Sequence, residues 1–397
     1  MLLKRIFLSQ RIGNQQILIL ISILMQFPFN FAHFLTNENL GGADWLMYVQ
    51  RTKSILDGNF LVMPGMAANN FIPGFTAPPL INYFFIPTSL FNYSGLSFEV
   101  LFMFFNVLNV QLFYKISVLS DINEKQALRY SLIFILSPFF LMSSSFLVSD
   151  EPVVLFTMLL PLLFVREKPL LAIILLWFSF LSKFWVIFFI PAFFVFIVKN
   201  SGWSIEKVIT VFFVVFLLMV IPFQIGFLYQ FGSEGYSLPV HILDSEVHGI
   251  SLQKILVNTL NFTVIDANTK VFLLGFYVVL VCLLNCLYYT KKMSFFSVLG
   301  YTMAIYFLMS FKVYIEYFIL LIPFILWFFH FANTKGINQE KRIGIIVGVF
   351  SLTVMWGNYS YWNYNFGIEI YFALLVLLII MTSELIVGSQ KKSKQSM

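Results

Sequence analysis

Twelve separate apolar runs thread this chain, at about 15–35, 97–119, 128–147, 152–165, 169–182, 184–198, 208–230, 271–289, 295–311, 316–332, 343–360 and 368–387. A bilayer demands such segments, because a helix needs about 20 apolar residues to cross a hydrocarbon core of about 30 Å. Hydrophobic residues make up 60% of the sequence and charged ones 11%, whereas a soluble domain is nearer half and a quarter. The chain therefore reads as an all-α polytopic membrane protein, about twelve transmembrane helices in one integral membrane domain over residues 1–397. That excludes a soluble enzyme, a disordered chain and a nucleic-acid binder. The first run follows Lys4, Arg5 and Arg11 and lacks a small-residue cleavage site, so it is kept as a span.

An even number of crossings puts both termini on one side, and the basic residues select it. With the N-terminus cytoplasmic, only Arg51, Lys53, Lys183, Lys254, Lys270 and Lys312 of the 24 Lys and Arg residues fall outside, leaving 18 inside. The net charge of +6 thus reports topology. Both termini are expected in the cytoplasm and the protein in a cell membrane, or in the endoplasmic reticulum membrane of a eukaryote. Runs 152–165 and 184–198 hold 14 and 15 residues, about 21–23 Å as helix. Merging 169–198 into one span would put Lys291 and Lys292 outside, so two short hairpins that fall short of a full crossing are expected, with Lys183 near the outer face. Cys282 and Cys286, at i and i+4 in an apolar run, read as packing residues.

Cytoplasmic loops are about ten residues or fewer, but two outer loops are long: 36–97, with 62 residues, and 231–270, with 40. Interfacial helices are expected in both, the first and fourth outer loops. Asp44–Leu56 has the amphipathic pattern, and Ile250–Phe262 repeats it weakly. A Pro/Gly-rich stretch (Pro64 to Pro79) and semi-apolar Leu80–Phe91 complete the first loop. Nucleoside triphosphates and nucleotide sugars are cytoplasmic. An enzyme with its working sequence on the outer face must draw activated groups from something the bilayer delivers, such as a lipid-linked donor.

Ionisable residues near span ends are the candidates for chemistry, since such groups are costly at membrane depth. Asp44 follows Gly41-Gly42-Ala43 and opens a helix, where it either caps or catalyses. Asp150 and Glu151 precede Pro152, the pattern of a capped helix start or of a catalytic pair. Lys183 and Lys312 each stand alone between apolar runs. They either snorkel to headgroups or bind a donor phosphate, and Lys312 could pair with Glu316 at i+4. His241 and His248 flank Asp244 and Glu246 without the spacing of a zinc motif, so no metal ligand set is assigned. The aromatics Trp356, Tyr359, Tyr361, Trp362 and Tyr364 are expected at an outer loop as part of an interfacial belt.

Several patches, in order, resemble the GT-C superfamily of polyprenyl-phosphate-sugar-dependent glycosyltransferases. The likeness is to the mannosyltransferases that add the first mannose of GPI anchors and to their prokaryotic relatives. Asp44-Trp45-Leu46-Met47-Tyr48 with Ile55-Leu56-Asp57-Gly58-Asn59 is similar to that family's first outer loop. Phe75-Thr76-Ala77-Pro78-Pro79-Leu80 resembles the proline motif that follows. Phe180-Leu181-Ser182-Lys183-Phe184 ahead of Ile190-Pro191 resembles the lysine-bearing hairpin. Phe311-Lys312-Val313-Tyr314-Ile315-Glu316-Tyr317-Phe318 ahead of Ile322-Pro323 resembles a later polar-aromatic turn. The family's Asp-x-Asp pair is incomplete, because Gly42 occupies its first position. A divalent cation, magnesium or manganese, stays open as a cofactor.

The resemblance implies transfer of a sugar, such as mannose, from a polyprenyl-phosphate donor to a hydroxyl on a glycan, lipid or protein acceptor. Transfer occurs with inversion at the outer or luminal face, among membrane lipids and without nucleic acid. One base and one cationic pocket suffice for this. Asp44 is expected as the base, with Asp150 and Glu151 as second acids. Lys183, Lys312 and Arg51 are expected on the donor phosphate, and Tyr48, Tyr314, Glu316, His241 and His248 around the substrates. The rival class is a secondary transporter of two six-helix halves; against it, the charged residues are expected at outer span ends and not at mid-membrane. A non-catalytic lipid-binding or assembly subunit is the third.

Overall fold

The computed structural model describes residues 12–36, 43–58, 80–147, 149–231, 248–249, 267–290, 293–310, 312–332, 339–364 and 368–395. In chain order the helices are α1 Ile12–Thr36, α2 Ala43–Leu56, α3 Gly95–Leu119, α4 Glu124–Leu136, α5 Pro138–Leu141, α6 Glu151–Phe164, α7 Pro169–Ser182, α8 Ile190–Asn200, α9 Ile205–Phe231, α10 Ala267–Tyr289, α11 Phe295–Met309, α12 Ile322–Ala332, α13 Gln339–Tyr364 and α14 Ile368–Gln395. Three 3-10 segments, Ile81–Phe91, Phe184–Phe189 and Ile315–Leu320, and a π turn, Met142–Phe146, join them. The expected first-loop helix is α2. Ile250–Phe262, His241 and the proline motif before Leu80 lie outside the described residues.

All twelve apolar runs are helical, but not all make one long helix. Seven stretches among the described residues are long and apolar enough to cross a membrane. An eighth counts if α4 and the following Pro138–Phe146 form one span broken by a 62° bend. The protein is an all-α integral membrane protein. Prolines explain the breaks: Pro138 and Pro191 stand in the first turns of α5 and α8, and Pro323 is the second residue of α12. A proline tolerates a helix start but removes an amide that a continuing helix would need.

Among the long helices α1, α9 and α10 lie at the rim, whereas α3 and the short helices are more deeply buried. On α1, α9 and α10, Leu24, Phe27, Leu218, Phe272 and Leu283 lie exposed, an apolar face toward lipid. By contrast Val153–Leu155 and Phe324–Phe328 are fully buried, as expected of helices apolar all round. Gly300 lets α11 and α12 approach closely, because a Cβ there would sit 2.9 Å from the Phe324 carbonyl oxygen and 3.0 Å from Phe328 Cβ.

Hydrogen bonds set the depth of each helix. α1 runs antiparallel to α3, with Asn14 on Tyr114 at 3.2 Å and Asn106 on Gln26 at 3.1 Å. α6 runs parallel to α3 but starts far down it. Arg166 donates to the Leu119 carbonyl at 3.0 Å, whereas Asn109 donates to the Pro152 carbonyl at 2.8 Å. Asn109 is 14 residues into a 25-residue helix, about 21 Å from its start. The first loop descends to the same level, since the Leu80 amide donates to the Leu181 carbonyl at 3.1 Å and Phe84 touches Phe105 and Phe178.

Two local expectations are corrected. α13 continues to Tyr364, so Trp356 and Tyr359 sit exposed on its helical surface and not in a loop. Cys282 and Cys286 are free thiols on the exposed face of α10, not interior packing residues. Lys312 lies on a two-residue strand and Glu316 in the 3-10 turn that follows. That strand, β2 Lys312–Val313, pairs in parallel with β1 His248–Gly249, His248 opposite Lys312.

Candidate functional site

Residues far apart in sequence meet where the short helices end. The Lys183 ammonium contacts Asp150 Oδ1 and Glu151 Oε1, each at 3.3 Å, and lies 5.2 Å from the centroid of the Tyr317 ring. The side chains of Lys183, Asp150 and Glu151 are 19%, 12% and 1% exposed. One face of the cluster is therefore open while Glu151 closes its floor. Glu316 lies within electrostatic reach of Glu151 and is itself buried.

Each member is placed by a helix break. Lys183 ends α7 in extended backbone, its amide donating to the Ser179 carbonyl at 2.9 Å, before the 3-10 segment that leads to Pro191. Asp150 occupies the N-cap position of α6 yet makes no side-chain cap; its carboxylate turns to Lys183 instead. Pro152 in the first turn reduces the need for such a cap, since it brings no amide. Tyr317 and Glu316 arrive on the 3-10 segment after β2, which seats against α6 and the π turn, with Phe318 stacked on Phe139.

Depth is the main departure from expectation. Lys183 was expected near the outer face, with charged residues gathered at outer span ends. The Asn109–Pro152 bond instead puts Asp150 and Glu151, and Lys183 with them, about half-way along α3. Facing both carboxylates at 3.3 Å, Lys183 is their counter-ion.

Other expected residues lie on neighbouring elements. Tyr314 makes an edge contact with Tyr317 at 5.5 Å. Backbone pairing brings His248 to Lys312, three residues before Ile315. Tyr48 of α2 is buried against Phe85, Phe98 and Phe102, so the helix bearing Asp44 and the buried Arg51 packs on the 3-10 segment that begins beside Leu181. Among the described residues, no group of three or more His, Cys, Asp or Glu is arranged to hold a metal ion.

Three contributors were not singled out in the sequence. Tyr317 had a signal, its place beside Glu316 in the polar-aromatic turn. Asn106 and Asn109 also had one, as carboxamides three residues apart in an apolar span. Comparison with models of known protein families and with characterised proteins found no match.

Proposed function

We propose that the protein is a GT-C-type membrane glycosyltransferase with about twelve membrane helices. It moves a hexose from a polyprenyl-phosphate donor to an acceptor hydroxyl at the outer or luminal face, with inversion. The observation that supports this reading is a carboxylate pair, Asp150 and Glu151, kept beside one ammonium within the membrane and next to the end of the first long loop. Single displacement needs a base for the attacking hydroxyl and positive charge for the departing phosphate. A phosphate leaves without a proton, unlike the alcohol that a glycosidase releases.

In this reading Asp44 takes the acceptor proton. Asp150, the more exposed member of the pair, positions the acceptor. Lys183 keeps both acids aimed, and Tyr317 fixes the ammonium. Arg51 and Lys312 bind the donor phosphate. The test is transfer from a synthetic polyprenyl-phosphate hexose in detergent-solubilised membranes. Release of free polyprenyl phosphate by wild type, lost in Asp44→Asn, supports the reading; no release from any donor of this class overturns it.

A secondary transporter is the second reading, favoured by one observation: the charged cluster lies at half depth, where helices break, as in transporter sites. Solute uptake by proteoliposomes without consumption of a lipid-linked sugar separates the two.

A further inference from the structure

The site depends on a chain segment that is not a regular helix, and α3 reaches that segment twice. Between Leu136 and Glu151 the backbone bends at Pro138 and opens into the π turn Met142–Phe146, so that the Leu147 amide reaches Met142 and the Ser149 amide reaches Ser143. Such a segment has fewer regular backbone bonds to fix it, and π turns mark functional places in helices. Two carboxamides on α3, Asn106 and Asn109, hold its ends. Asn106 donates to the Phe140 carbonyl at 2.9 Å and to Gln26 Oε1 at 3.1 Å; Gln26 also accepts from the Ser144 hydroxyl at 2.6 Å. Asn109 donates to the Pro152 carbonyl at 2.8 Å, one residue beyond Glu151.

Both asparagines, Gln26 and Ser143–Ser145 are fully buried. A polar side chain in a membrane helix is expensive unless it makes its bonds. These asparagines spend their amide groups on main-chain carbonyls of one irregular segment. Phe140 and Pro152 bracket the residues that place Asp150 and Glu151, so the rigid rod of α3 sets where those acids stand relative to Lys183.

We infer that Asn109, aided by Asn106, is a positioning residue: it pins the start of α6 so that Glu151 meets Lys183. The inference rests on the reading of the cluster as a working site, but its main test does not need activity. Glu151 faces Asp150 on its own turn, Lys183 from the end of α7, and Glu316 and Tyr317 from the 3-10 segment. Its Oε2 has no hydrogen-bond partner among the described residues. Drawn away from the ammonium, the carboxyl takes a proton more readily, and an apolar carbodiimide labels protonated buried carboxyls.

The experiment compares wild type, Asn109→Leu and Asn109→Gln in detergent at about pH 9, where a carboxyl held beside the ammonium is mostly ionised, with labelling of Glu151 quantified by peptide mass spectrometry. Severalfold faster labelling in Asn109→Leu, with Asn109→Gln near wild type, is expected. In the transfer assay Asn109→Leu lowers kcat tenfold or more with donor KM unchanged. Equal labelling of Glu151 in all three overturns the inference. If Asn109→Leu does not give a monodisperse helical protein, Asn109→Ala is read by the same criterion. Wild type inactive on every lipid-linked sugar defeats the proposed function and leaves the labelling comparison intact.

Discussion

Replacing Lys183 by methionine should destabilise the protein more than replacing it together with its two acids. Each carboxylate contact at 3.3 Å amounts to about 5 kcal/mol of gross attraction at an effective dielectric near 20. Desolvation of three groups that are 19% exposed or less offsets most of that. Lys183→Met removes the attraction and leaves the desolvated acids facing each other, at an expected cost of about 3–5 kcal/mol. The triple variant Lys183→Met, Asp150→Asn, Glu151→Gln removes the buried charge as well and should recover most of the loss. Denaturant unfolding in lipid nanodiscs, followed by tryptophan fluorescence, measures all three proteins. A triple variant that unfolds no later than Lys183→Met would refute the claim that uncompensated charge is what costs stability here.

Other variants probe other links. Asp44→Asn should lower sugar transfer by about 10²–10⁴ with the unfolding midpoint unchanged, and wild-type turnover would remove Asp44 as the base. Tyr317→Leu should weaken the Lys183 site by about 0.5–2 kcal/mol, while Tyr317→Phe keeps the ring face and stays close to wild type; equal unfolding midpoints of the two variants would show that the ring face is not used. Gly300→Ala should cost about 1–3 kcal/mol by forcing α11 from α12, which a melting curve checks directly. A cysteine placed at Gly58 should react with an impermeant maleimide on intact cells and one at Lys125 should not; the reverse pattern would invert the proposed topology.

Much of the framework was legible because the bilayer imposes a simple rule on composition. Every apolar run became helix, and the amphipathic stretch after Gly42 became α2 with Tyr48 turned inward. Local chemistry was readable too: Pro152 and Pro191 mark helix starts, and Asp150, Glu151 and Lys183 stood out as charges beside apolar runs. What sequence could not supply was partnership. That Lys183 answers Asp150 and Glu151, 33 and 32 residues away, follows from how α7 returns along α6. The pairing of His248 with Lys312 and the meeting of Tyr317 with Lys183 are tertiary events of the same kind. Asn106 and Asn109 look like tolerated polar residues until the carbonyls they hold are known.

The depth of the cluster follows from helix length. α6 and α7 have 14 residues each, about 21 Å, against a hydrocarbon core of about 30 Å. Arg166, just past the end of α6, is tied to the end of α3, so the shortfall lies entirely at the opposite tips. Glu151, and Ser182 next to the Lys183 that faces it, therefore finish part-way along α3. Ending there leaves open backbone and, at Asp150, Glu151 and Lys183, charge that the hydrocarbon will not solvate. Mutual pairing of the charges meets that cost, and the rim of long helices keeps lipid from the pair. The shortness of 152–165 and 184–198 already leads to the expectation of hairpins that fall short of a full crossing. Applied strictly, the same length rule makes the shortness of α6 and α7 the reason their charged ends meet part-way along α3 and not at its start.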